Sequence, residues 1–171
     1  MKKNIGSTME IIEDCRRGGI QITSSIEKMM KAPADFLPHT LVDFNEGIIR
    51  YNNEHMSNAL LVLTYYFGET LVRNLEGVQW VEESAITGAG DLYVQVLLPF
   101  RGAVIPVDVN PAAHIKKCMI GNPEYLYSQF CLYETMLDTV RKCEVESSRV
   151  RSLIIKNDYG TYRYDFSKLQ F

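Results

Sequence analysis

Residues 59–75 read ALLVLTYYFGETLVRNL, and this stretch decides the fold. Its first nine residues are almost wholly apolar, yet Gly68 and Glu69 stand side by side in the middle of the run. Met56, Leu60, Leu63, Phe67 and Leu71 recur at steps of three and four, which aligns them along one side of a 3.6-residue helix over about residues 54–76. The other side is not polar: Val62, Tyr65, Tyr66 and Val72 lie there with Glu69, Arg73 and Glu76. A helix apolar on two sides has to be covered on two sides, so this segment is expected to be the central helix of the fold.

Two readings of the Gly68–Glu69 pair follow. In the simpler one, glycine accepts a helix penalty of about 1 kcal/mol relative to alanine so that another element, Trp80 in particular, can approach closely. Glu69 then pairs with Arg73 one turn on, in the favourable i,i+4 orientation. In the sharper one, Glu69 is a catalytic candidate, with Tyr65, Tyr66, Arg73 and Trp80 as binding residues around it. A shielded carboxyl with a raised pKa can act as a general acid or base. A second carboxylate would then come from Asp91 or Asp108 at the strand ends.

After Gly77 the period changes from helical to alternating. Val78 and Trp80 flank Gln79. The turn-rich AITGAG precedes DLYVQVLLP, whose Leu92, Val94, Val96 and Leu98 share one face. In FRGAVIPVDV the same holds for Ala103, Ile105, Val107 and Val109, and Pro106 assigns that strand to an edge. Three consecutive strands over about residues 78–109 predict an antiparallel meander packed on the central helix. The expected class is therefore α+β, in a single domain over residues 1–171.

Shorter helices are predicted around this centre. Ser7 to Glu10 has capping-box spacing, and Gly18 and Gly19 stop a helix over 8–17. Ser24 to Glu27 repeats the box and opens a helix over 25–32 that Pro33 ends. Residues 33–50, with Pro33, Pro38 and Gly47, read as irregular. Asn110–Pro111 and Asn122–Pro123 each look like an N-cap followed by proline at the first helical position, opening helices over 111–120 and 123–144. The second carries Leu126, Phe130, Tyr133, Leu137 and Val140 as a core stripe. TYRYDFS alternates strictly and pairs with SLIIK as a C-terminal hairpin, the alternative being a continuation of the preceding helix through Val150 and Ile154.

Composition narrows the function classes. The chain has 171 residues, 46% of them hydrophobic and 23% charged, with 18 basic and 21 acidic side chains for a net charge of −3. The basic residues are scattered, so no nucleic-acid partner is expected. The longest apolar run is far below the roughly 20 residues of a membrane span, and acidic residues interrupt the N-terminus where a secretory signal would be apolar. A cytoplasmic location without a membrane partner is expected. Cys15, Cys118, Cys131 and Cys143 form no CxxC pair and read as free thiols.

Chemical motifs are sparse. His39, His55 and His114 are too far apart for a metal set, GAGD at 88–91 is too short for a dinucleotide loop, and no serine lies in a GxSxG context. No metal or cofactor is expected.

The order YYFGETLVRNLEG then VQWVEE, with Gly68, Glu69, Gly77 and Trp80 at its key positions, resembles a group of uncharacterised bacterial α+β domains. In these a Tyr-x-Gly-Glu helix runs into a Gly-x-x-Trp strand, and the likeness covers about residues 20–110. The resemblance implies a cytoplasmic α+β fold without an established reaction. Some bacterial domains of similar build are immunity or adaptor proteins. The expectation is a non-enzymatic protein-binding domain, an immunity or accessory protein with a protein partner. A small hydrolase or ligand-binding domain using Glu69, Arg73 and the nearby tyrosines is the alternative. The strand with Pro106 and the TYRYDFS strand are also candidate edges for a homodimer.

Overall fold

The computed structural model describes residues 8–51, 56–81, 92–100, 103–119, 122, 124–146, 152–157 and 160–165. Helices α1 (Thr8–Arg17), α2 (Gly19–Met30), α3 (Leu41–Tyr51) and α4 (Met56–Asn74) lead into strands β1 (Val78–Val81), β2 (Tyr93–Phe100) and β3 (Ala103–Val109). Helices α5 (Pro111–Cys118) and α6 (Tyr125–Glu146) and the hairpin of β4 (Ser152–Asn157) and β5 (Gly160–Asp165) complete the order. The fold is α+β: β1-β2-β3 form an antiparallel meander in that spatial order, and β4 pairs β5 separately.

Helix α4 is central. It packs against α5, β1 and β2 and also touches α1 and α2. Every residue from Leu63 to Leu71 is buried, so both sides of the rod are covered. The chain leaves α4 through Gly77, whose φ of 82° lies in the left-handed region that glycine enters without strain. The Leu97 amide then donates to the Gly77 carbonyl at 2.7 Å, locking β2 onto the start of β1.

The sheet registers place Val78, Trp80, Val94, Val96, Leu98, Ile105, Val107 and Val109 on one face. This face meets the helices, and the alternation seen in sequence is the alternation of burial. Because Leu97 directs its amide to β1, its β3 partner Pro106 points its backbone outward, away from β2. Among the described residues β3 is an edge strand, and proline removes a donor from its outer side and costs the ladder nothing. Helix α6 buries Leu126, Phe130, Tyr133, Leu137 and Val140, its expected stripe. Asn122 turns the chain into its start: the side chain accepts from the Glu124 amide at 3.1 Å and the carbonyl from the Tyr125 amide at 3.3 Å. Asn110 likewise accepts from the Ala113 amide at 3.0 Å.

Two expectations fail. Residues 33–50 are not irregular: a 3₁₀ turn, Pro38–Thr40, feeds α3, which buries Leu41, Phe44, Asn45 and Ile48. The prolines lie ahead of this helix and only Gly47 lies in it, so the apolar spacing wins. Helix α2 begins at Gly19 and not at Ser24, and the Ser24–Glu27 box is not used as a cap. Ser25 instead bonds back to the Gln21 carbonyl at 2.7 Å, and Glu27 accepts from the Ala34 amide at 3.3 Å. Gly18 keeps right-handed helical geometry, so the two glycines interrupt the helical path only briefly. The expected Ser7 cap lies outside the described residues.

Candidate functional site

Trp80 is where α4 and the sheet meet. A Cβ at Gly68 would lie 2.1 Å from Trp80 Cη2 and 2.5 Å from Cζ2, so the indole occupies the space that any side chain would take. The ring also stacks on Tyr65, with centroids 6.4 Å apart and planes 8° from parallel. Burying an indole leaves its N–H in need of an acceptor. Glu69, next to the glycine that admits the ring, supplies it: Trp80 Nε1 donates to Oε2 at 2.9 Å.

That carboxylate is itself buried, with 3% of the residue exposed, and it is fully engaged. Arg73 donates through Nε to Oε1 at 3.0 Å. Arg16, arriving from α1, donates through Nε to Oε1 at 3.3 Å and through Nη2 to Oε2 at 3.1 Å. Burial pushes the Glu69 pKa up, but the hydrogen bonds from Arg16, Trp80 and Arg73 outweigh it and hold the carboxyl below its usual value. The same Glu69 bond raises the Arg16 pKa. Burial, and then the Glu69 charge, raise the pKa of Tyr65.

The two arginines keep one side in water, with side chains 43% (Arg16) and 49% (Arg73) exposed. Arg73 also lies over the Phe36 ring, 4.0 Å from its centroid. Phe36 is fixed in the left-handed region at φ 59°, its carbonyl accepts from Asn74 Nδ2 at 2.7 Å, and its ring packs on Tyr66 at 4.9 Å.

The sequence-chosen residues therefore divide. Glu69, Arg73, Trp80 and Tyr65 converge. Tyr66 is buried on another side of α4, against Phe44 and with its hydroxyl near the Pro33 carbonyl and Thr40. Asp108 is exposed on the other sheet face, accepting from Gln95 Nε2 at 2.9 Å, and is not brought to Glu69. Asp91 lies outside the described residues. Arg16 was missed. It appears in sequence only as a basic residue in a last turn, and nothing local ties it to a glutamate 53 positions away.

A second polar group forms between α5 and α6. Half-buried His114 bonds the Tyr125 hydroxyl through Nδ1 at 2.9 Å and the Tyr133 hydroxyl through Nε2 at 3.0 Å, with Phe67 edge-on. Desolvation, helped by Lys117, lowers its pKa to about 4, so the imidazole is neutral and donates to one phenol while accepting from the other. Beneath it, burial raises the Cys118 thiol to about 12. Cys15, Cys118 and Cys131 are free thiols.

Among the described residues no three metal-ligating side chains converge, and no helix is long and apolar enough to cross a membrane. Comparison with family models, with curated proteins and with solved structures finds no match.

Proposed function

We propose that this chain is a non-enzymatic protein-binding domain, an immunity or accessory factor of the bacterial cytoplasm. The observation that carries the reading is the occupancy of Glu69. A general acid needs a raised pKa and an oxygen open to substrate, whereas this carboxyl is held low and both oxygens are bonded inside the fold. The best candidate for chemistry is thus employed in joining α1, α4 and β1. Tyr65, Tyr66 and Trp80 are buried with it, so a partner meets the surrounding surface and not these rings. The mild net negative charge and the resemblance to small bacterial α+β domains support the same reading. So does exposed apolar surface such as Val104, 61% exposed on the sheet face away from α4.

The test is capture of the tagged chain from its native cells at native abundance, followed by reconstitution with the purified partner. A defined complex by light scattering, weakened by Val104→Glu, is expected. Failure of any captured protein to form a complex when both components are pure would refute the reading. The hydrolase alternative requires turnover abolished by Glu69→Gln in a variant that remains folded.

A further inference from the structure

We propose that Arg16 and Arg73 together form a binding site for a small oxyanion, a phosphate or carboxylate group. The inference goes beyond the protein-binding reading and does not require a protein partner. Two guanidiniums share the single carboxylate of Glu69, so among the described residues the three groups carry one positive charge in excess. Both Nε atoms bond the same oxygen, Oε1, which fixes the two cations side by side.

Their donors are only partly used. Arg73 commits Nε alone, and among the described residues its Nη1 and Nη2 have no hydrogen-bond partner. Arg16 commits Nε and Nη2 to Glu69 and also has the Tyr65 hydroxyl beside its guanidinium, so the spare donors among the described residues are chiefly those of Arg73. Among the described residues neither arginine forms an ion pair with a carboxylate other than Glu69; Asp14, next to Arg16 on α1, takes Arg17 at 2.7 Å.

Orientation is settled before any ligand arrives. Glu69 pins one edge of each guanidinium, and the Phe36 ring supports the plane of Arg73 from a backbone held by Asn74. A planar fork with free N–H groups, already ordered and about half in water, suits bidentate recognition of an oxyanion. Pre-organisation also lowers the entropy cost of binding. Trp80 is the single tryptophan of the chain, and its N–H donates to the same carboxylate, so it reports on the site from the inside.

The experiment is a titration of the intact ¹⁵N-labelled protein. It follows the Trp80 indole and arginine Nε–H resonances with inorganic phosphate, with citrate, and with chloride at matched ionic strength. We expect saturable shifts of the Arg16 and Arg73 resonances and of the indole with phosphate, citrate or both, and only weak, unsaturable drift with chloride. The anion that saturates at lower concentration assigns the group as phosphoryl or carboxylate. Arg73→Lys keeps the charge but loses the fork and should weaken binding at least about tenfold, while its indole resonance shows that the cluster is still folded. Arg141→Gln, at the Glu76 pair, should titrate like the parent. Equal behaviour of chloride, phosphate and citrate would overturn the proposal, as would an Arg73→Lys variant that binds as tightly as the parent.

Discussion

Replacing Gly68 by alanine tests the packing at the centre of the fold, because two effects of known size oppose each other there. Helix propensity alone favours alanine by about 1 kcal/mol in a helix interior. The new methyl would sit 2.1 Å from Trp80 Cη2, about 1.5 Å inside normal carbon contact. The indole has no free direction of retreat: it is stacked on Tyr65 and tied to Glu69 at 2.9 Å. Overpacking costs about 1–3 kcal/mol, and breaking a hydrogen bond to a charged group costs about 1.5–3 kcal/mol. Subtracting the propensity gain leaves a net loss of about 3 kcal/mol, which for a domain of this size lowers Tm by roughly 6–12 °C. Thermal unfolding followed by far-UV circular dichroism measures it. The same substitution in a Trp80→Phe background, where Cη2 and Cζ2 are absent, should be nearly neutral or stabilising, giving a strongly non-additive double-mutant cycle. An unchanged or raised Tm in Gly68→Ala, or additivity in the cycle, would refute the argument.

Glu69→Gln should destabilise by about 2–3 kcal/mol at neutral pH, less than the 3–5 expected when both partners of an ion pair are buried, because the freed arginines return to water. The folded carboxyl titrates below its usual 4.5. Its contribution is therefore complete above that value and lost as pH falls through the folded pKa, so parent and variant melting curves should converge in acid. His114 has a folded pKa of about 4 against 6.5. The unfolded chain binds the extra proton, and stability should fall between pH 6.5 and 4 by at most roughly 3 kcal/mol. His114→Gln should flatten that part of the Tm–pH profile, and an unchanged slope would remove His114 as its cause. Pro106→Val restores an outward donor to the β3 edge that is unpaired among the described residues, so light scattering should show more concentration-dependent association than in the parent. A variant as monodisperse as the parent would mean that the edge is protected by something other than this proline.

Local signals carried most of the architecture. The two-sided apolar pattern of residues 59–75 and the alternation after Gly77 describe α4 and the meander because each depends on neighbours within a few residues. Asn110 and Asn122 mark helix starts for the same reason. The errors arose where a local signal competed with packing. Leu41, Phe44 and Ile48 have helical spacing, while the prolines ahead of them and Gly47 are local signals against a helix. In the structure all three side chains are fully buried, and that burial decides the matter. At Ser24 the capping pattern is present but unused: the helical path already runs through this point from Gly19, with the Gln21 and Ile22 amides donating to the Gly18 carbonyl at 2.9 and 3.1 Å.

The carboxylate in mid-helix now has a cause that runs in one direction. Trp80 closes the gap between sheet and helix and requires a position without a side chain, which only Gly68 provides. Burying the indole creates an N–H that must be satisfied, and the residue beside the glycine is the one placed to do it. An amide could accept that bond, but a carboxylate accepts it and also draws in a cation from its own helix and another from α1, joining segments 53 residues apart. The first cation was legible because i,i+4 geometry is local. The second was not, because only the tertiary fold brings α1 beside α4. It is also the second cation that takes the cluster from neutral to positive, so the property with the clearest outward consequence is the one that local sequence could not contain.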